Sequence, residues 1–87
     1  MPEISRFLGI IIRMYFDAFE HNPPHFHAYY GEHEALFSID TLEVLKGKLP
    51  ARIKGLVIEW ADMHKKELKH NWELLKEDKF KKIKPLV

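Results

Sequence analysis

The sequence predicts an α+β fold, with a small antiparallel sheet of three to four strands packed against a C-terminal amphipathic helix or helix pair. Two periodicities predict this arrangement. Apolar residues alternate along the N-terminal half, whereas in the C-terminal half they recur at three- and four-residue steps. Short loops join the strand-like segments, which favours an antiparallel meander. A chain of 87 residues forms one domain, because a second hydrophobic core would not fit.

Three segments of the N-terminal half are typical of strands, because they are rich in β-branched and aromatic residues and are bounded by loop signals. They are "GIIIRMYF" (9–16), "HFHAYY" (25–30) and "EALFSID" (34–40). The segment "TLEVLKGKLP" adds a short strand before Gly47, and the strands together cover about residues 2–45. Alternation predicts one inward-facing set, namely Ile10, Ile12, Met14, Phe16, Phe26, Ala28, Ala35, Phe37 and Ile39.

The period changes at Pro50, a residue that suits the first turn of a helix. The helical region is predicted over about residues 50–78, as one helix or as two broken near His64–Lys66. Its apolar stripe comprises Ile53, Leu56, Val57, Trp60, Ala61, His64, Leu68, Trp72 and Leu75. A basic tail (79–87) follows, in which Phe80, Ile83 and Leu86 are available to dock on the sheet.

Composition excludes several classes of protein. The absence of cysteine rules out disulfides, thiolate nucleophiles and zinc-finger ligation. The N-terminus lacks the features of a signal peptide and no segment reaches membrane-spanning length, so a cytoplasmic protein without membrane contact is expected. Charge is uneven: residues 1–44 carry 2 basic and 7 acidic residues (2 − 7 = −5), and residues 45–87 carry 12 and 6 (12 − 6 = +6).

The stretch "EHNPPHFHAYYG" (20–31) holds three of the six histidines. If 25–30 is a strand, His25, His27 and Tyr29 share one face, which is expected to be the more polar one. Histidine is the commonest metal ligand, and an i, i+2 pair on one strand face could bind one ion such as zinc or nickel. His21 or Glu20 would supply a third ligand from the preceding loop. Structural stacking of the imidazoles on neighbouring tyrosines is the simpler alternative.

A second hypothesis needs no metal. If strands 9–16 and 25–30 are neighbours, Arg13 and Tyr15 share a face with His25 and His27. An arginine that holds phosphate, histidines that transfer protons and a nearby tyrosine form a set suited to metal-independent phosphodiester cleavage. In the alternative, Arg13 is an ordinary surface residue paired with Glu34 or Asp40 across the sheet.

Several segments together resemble one small bacterial family, known as domain of unknown function 4160. They are "MPEISRFLGIIIRMYF", "HNPPHFHAYYGEHEA", "GKLP", "EWADMHKKELKHNWE" and "KKIKPL". The resemblance implies a toxin–antitoxin component or a partner of a second small protein encoded beside it. RNA is then the expected substrate of a toxin.

A third hypothesis is that the histidine face is a protein-binding surface, since exposed Tyr and His with few charges suit an interface. Tyr29 would contribute to it. Lys81, Lys82 and Lys84 of the tail are candidates for contacts with nucleic-acid phosphates, although a solvated tail is the simpler explanation of them. Nothing in the sequence excludes a homo-oligomer.

Overall fold

The structure is a computed structural model that describes residues 3–15 and 23–87. Five antiparallel strands form one sheet in the order β1-β2-β3-β4-β5, a meander, and two helices follow. The α+β prediction is therefore confirmed, with more strands than the three to four expected. The elements are β1 (Glu3–Phe7), β2 (Ile10–Arg13), β3 (His25–Tyr30), β4 (His33–Ser38), β5 (Val44–Lys48), α1 (Ala51–Met63) and α2 (Lys65–Leu75).

The additional strand is β1, and its irregular pairing explains why alternation did not reveal it. The register between β1 and β2 shifts between Glu3 and Ser5, so that Ile4 and Ser5 are both buried. At the other end of the sheet, β5 continues through Gly47 to Lys48, beyond the predicted limit near residue 45.

One face of the sheet carries the hydrophobic core, and α1 packs against it. Trp60 is completely buried, and its ring lies 5.6 Å from Phe7 and 5.9 Å from Phe26 between centroids. The predicted inward-facing set is buried throughout the described residues, whereas Phe16 lies outside them. Its buried members are Ile10, Ile12, Met14, Phe26, Ala28, Ala35, Phe37 and Ile39.

The helical region is broken at His64, although neither glycine nor proline is present there. The His64 backbone N–H still bonds the carbonyls of Trp60 and Ala61, at 3.2 Å each, but its φ of −118° leaves the helical range. His64 then serves as the N-cap residue of α2. Its Nδ1–H donates to the Glu67 carboxylate at 2.7 Å, and Glu67 occupies the third position of the new helix.

The C-terminal tail is held by its backbone. The Asn71 side-chain amide donates to the Lys81 carbonyl (2.7 Å) and accepts from the Lys81 N–H (2.8 Å). The Ile83 N–H donates to the Ile4 carbonyl at 2.7 Å, and the Trp60 indole donates to the Lys84 carbonyl at 2.9 Å. The bond to Ile4 places the tail along the outer edge of β1, and the other bonds join it to the two helices.

Docking of the tail involves its apolar residues to different extents. Ile83 is buried and Leu86 packs against the core, as expected, whereas Phe80 is exposed. The expectation that Phe80 docks is therefore wrong. Within the described ranges, no helix is long and apolar enough to cross a membrane.

Candidate functional site

The sheet face opposite α1 brings together four of the predicted site residues and one further partner. We call it the polar face and define it by Arg13, Tyr15, His27, Tyr29 and Glu34. Strand pairing brings them together. Arg13 of β2 is the direct partner of His27 on β3, and Tyr29 is the direct partner of Glu34 on β4. Direct cross-strand partners project from the same face of a sheet with their Cβ atoms about 5 Å apart.

His27 lies at the centre of the polar face. Its Nδ1 is 3.1 Å from the Glu34 Oε2, and since a carboxylate only accepts, Nδ1 carries the proton and donates it. The Tyr15 ring meets the imidazole edge-on, with 4.4 Å between centroids. The His27 side chain is 13% exposed. These contacts fix the ring orientation and direct Nε2 to the opposite side from the carboxylate.

Two tyrosines beside His27 share a hydrogen bond. The hydroxyl oxygens of Tyr15 and Tyr29 are 2.7 Å apart, and either can be the donor. Burial raises the pKa of Tyr29 well above its usual value of 10.0, and the bond to Tyr15 and the nearby Glu34 carboxylate raise it further. Tyr29 is therefore a neutral phenol across the physiological pH range.

Arg13 lies over the Tyr29 ring on this face. Its guanidinium carbon lies 5.5 Å from the centre of the Tyr29 ring, a cation–π distance. Its Nε–H is buried and has no hydrogen-bond acceptor among residues 3–15 and 23–87. The ion pairs expected of an ordinary surface arginine are not formed there, because Glu34 binds His27 and Asp40 binds Lys69 at 3.0 Å.

His25 shares its strand face with His27 but is less accessible than the sequence suggested. It is only 4% exposed, and its ring lies 5.1 Å from Trp72 of α2 and 5.5 Å from His27. Its Nδ1–H donates to the Pro23 carbonyl at 3.0 Å. His25 therefore shares the strand face of His27, as alternation predicted, but it is buried there rather than exposed.

The metal hypothesis is not advanced by the part of the chain that the structure describes. No group of three or more His, Asp or Glu side chains suited to hold an ion occurs in these residues. The third expected ligand, His21, and its substitute Glu20 lie outside the described residues. A zinc or nickel site formed by His21, His25 and His27 stays a prediction.

The tail lysines lie apart from the polar face. Lys82 and Lys84 line a groove of about 430 Å³ with residues 3–6 of β1, and β2 separates that strand from β3. Lys81 is exposed beside the Asn71 clamp. Their predicted contact with phosphates is therefore independent of the histidines. His64, a member of the predicted apolar stripe, binds Glu67.

Glu34 is the site residue that sequence reasoning missed as a partner of histidine. A signal for it existed in the hairpin between β3 and β4. Only Gly31 and Glu32 separate the two strands, and Gly31 has a φ of +57°. A two-residue loop fixes register, which places Glu34 opposite Tyr29 and diagonal to His27.

Comparison with known proteins identifies the family. A family model described as "Domain of unknown function (DUF4160)" matches residues 9–73 of the 87, a span that includes β2, the hairpin and both helices up to Glu73. No curated protein matches the chain. No solved structure matches it either. Since the match covers most of the sequence, the chain belongs to the DUF4160 family.

Proposed function

We propose that this protein is the RNA-cleaving component of a bacterial toxin–antitoxin pair and acts without a metal through the polar face. One observation supports the proposal above the others. The His27 imidazole, held at Nδ1 by Glu34, stands directly opposite Arg13, whose Nε–H lacks an acceptor within the described residues. An oriented proton acceptor beside an arginine suits phosphate-ester chemistry.

The roles are assigned from the chemistry of the side chains on the polar face. His27 Nε2 accepts the proton of a ribose 2′-hydroxyl while that oxygen attacks phosphorus. The bond from phosphorus to O5′ breaks, and Tyr15 donates its hydroxyl proton to the departing O5′. Arg13 neutralises the charge that develops on the phosphoryl oxygens. The Tyr29 hydroxyl, 2.7 Å from that of Tyr15, stabilises the resulting phenolate until the proton returns from the His27 imidazolium through solvent.

His25 acts in this scheme as a positioning residue. It is buried, bonds a backbone carbonyl and packs between Trp72 and His27, so it supports the central ring. Replacement of His25 is expected to displace the His27 ring and so to lower activity. It should lower the stability of the protein as well.

The partner in this proposal is a second small protein encoded by a neighbouring gene, which inhibits by covering the polar face. That surface combines aromatic rings with an arginine, a composition enriched at protein interfaces. An RNA substrate places the activity in the cytoplasm.

The test is cleavage of a 5′-labelled RNA oligonucleotide by the purified untagged protein in EDTA. We expect a 2′,3′-cyclic phosphate product, and expect the His27→Ala and Arg13→Ala variants to lose about 10²-fold or more in rate. His70→Ala, which removes an exposed histidine of α2, is the matched control and should keep wild-type activity.

Two outcomes would overturn the proposal. One is an inert wild-type protein whose expression leaves growth unaffected. The other is cleavage that requires added zinc or nickel and that His27→Ala lowers in step with bound metal measured by elemental analysis, a result that would favour the metal hypothesis. Far-ultraviolet circular dichroism of each variant excludes loss of fold as the cause of lost activity.

A further inference from the structure

The polar face continues beyond the histidine site to the outer strand of the sheet. Strand pairing aligns one row of side chains from β2 to β5: Arg13 opposite His27, His27 opposite Leu36 and Leu36 opposite Lys46. In the adjacent row, Tyr29 faces Glu34, and Glu34 faces Lys48. Two lysines of β5 therefore share the face that carries the proposed catalytic residues.

Lys46 and Lys48 are the two cations of β5. Both are exposed, and neither forms an ion pair within the described parts of the chain. Gly47 lies between them with a φ of +83°, and a Cβ at that position would approach the Glu34 carbonyl oxygen to 2.2 Å. The backbones of β4 and β5 therefore lie close together at Gly47, and the register of the two strands puts both lysines on the polar face.

The spacing of the cations determines what kind of anion can use them all. Neighbouring strands lie about 4.8 Å apart, so three strand spacings separate Arg13 from Lys46 by about 14 Å. One phosphate group cannot contact both positions, whereas a chain with several phosphates can. The surface between the cations presents the half-buried rings of Tyr15 and Tyr29 and the half-buried side chain of Leu36.

We propose that Lys46 and Lys48 form a second phosphate-binding subsite and that the ligand of the polar face is single-stranded RNA lying across the strands. This inference rests on the proposed function for the choice of RNA. Aromatic and apolar surface between cations suits unstacked bases, which a duplex does not offer. In the second row the Glu34 carboxylate lies opposite Lys48, and it accepts a hydrogen bond from His27.

The test measures binding of a fluorescein-labelled 12-nucleotide RNA that carries 2′-O-methyl groups throughout, so that it cannot be cleaved by its own 2′-oxygens. Affinity is measured by anisotropy between 0.05 and 0.5 M salt, roughly the range in which counterion release dominates. A K46Q/K48Q variant removes two phosphate contacts. Its salt slope should fall in magnitude by about 1.4, which is about 25-fold in Kd at 0.1 M salt with 1 M as reference.

The matched control is K54Q/K66Q, which removes the same charge from exposed positions on α1 and α2. It should change Kd less than about twofold, since neither lysine belongs to a strand of the polar face. A duplex form of the probe should bind at least about fivefold more weakly, the equivalent of one lost base–aromatic stack. Circular dichroism confirms that both variants are folded.

The possible results separate this inference from the proposed function. Any of three results would show that the second subsite is wrong, even where RNA is cleaved. They are equal effects of the two double variants on Kd, no effect of K46Q/K48Q on Kd, and equal affinity for the duplex and the single strand. If the wild-type protein binds the single strand through Lys46 and Lys48 but cleaves no RNA, the subsite stands and the proposed catalysis fails.

Discussion

The hydroxyl oxygens of Tyr15 and Tyr29 lie 2.7 Å apart on the polar face, beside the ring of His27. Tyr29 is the member whose pKa is raised, first by burial and then by its bond to Tyr15. The folded protein therefore binds the Tyr29 proton more tightly than the unfolded chain does. The stability from this difference is fully present below the unfolded pKa of about 10 and is lost as pH rises toward the folded pKa.

Replacement of the Tyr29 hydroxyl tests this link between its pKa and the stability of the protein. We expect Tyr29→Phe to cost about 1 kcal/mol in the free energy of unfolding at pH 7, the usual contribution of one hydrogen bond. Above about pH 10 the wild-type free energy should fall more steeply than that of the variant. Urea denaturation at a series of pH values measures both. Tyr30→Phe, which removes a phenol outside the pair, should keep the wild-type pH dependence; an unchanged dependence in Tyr29→Phe would contradict the assignment.

A second prediction concerns the bond from His27 Nδ1 to Glu34. We expect Glu34→Ala to lower RNA cleavage by about 10²-fold, because the imidazole loses the acceptor that fixes its tautomer. Glu34→Gln retains an acceptor oxygen without the charge, so its cleavage rate should lie between those of the wild-type protein and Glu34→Ala. Nitrogen NMR of the ring reports the position of the proton independently of activity.

The control for this prediction is Glu32→Gln, which removes an exposed carboxylate from the same hairpin. It should leave both the tautomer and the rate unchanged. A ring that keeps the Nδ1–H tautomer in Glu34→Ala would show that Glu34 does not orient His27.

Alternation within each strand predicted much of the sheet, because it decides which residues point to the core and which to the polar face. Alternation placed Ile10, Ile12, Phe26 and Ala28 in the core, and the structure buries all four completely. The same alternation put Arg13 on the other face, and the pairing of β2 with β3 brought it opposite His27.

The remaining features depend on contacts distant in sequence or on local irregularity. The bulge in β1 hid that strand, since alternation fails where two consecutive residues are buried. The burial of His25 depends on Trp72, which is 47 residues away (72 − 25 = 47) and which no periodicity connects to it. The helix break at His64 is accompanied by a bond to Glu67, and such an i, i+3 pair also occurs within continuous helices.

The third prediction uses the unequal surroundings of two glycines. Gly47→Ala forces a side chain into a φ of +83° and into the Glu34 carbonyl oxygen, so we expect a loss of about 2–4 kcal/mol. Gly55 lies in α1 with no atom within 4 Å of an added Cβ, and Gly55→Ala should gain about 0.5–1 kcal/mol through helix propensity. Chemical denaturation gives both values. Equal effects at the two positions would contradict the close approach of β5 to Glu34.

The fourth prediction concerns the turn between β1 and β2, where Leu8 and Gly9 both have positive φ, +49° and +80°. Positive φ at both central residues is typical of a type I′ turn, for which Asn-Gly is favoured. Leu8 is 54% exposed and contributes little packing in compensation. We therefore expect Leu8→Asn to raise the free energy of unfolding by about 1 kcal/mol, because asparagine tolerates the left-handed conformation. Leu8→Ala, which keeps the steric strain, should have a smaller effect, and a thermal unfolding series over the three proteins measures the order. A Leu8→Asn variant no more stable than Leu8→Ala would show that the strain at this turn is relieved elsewhere.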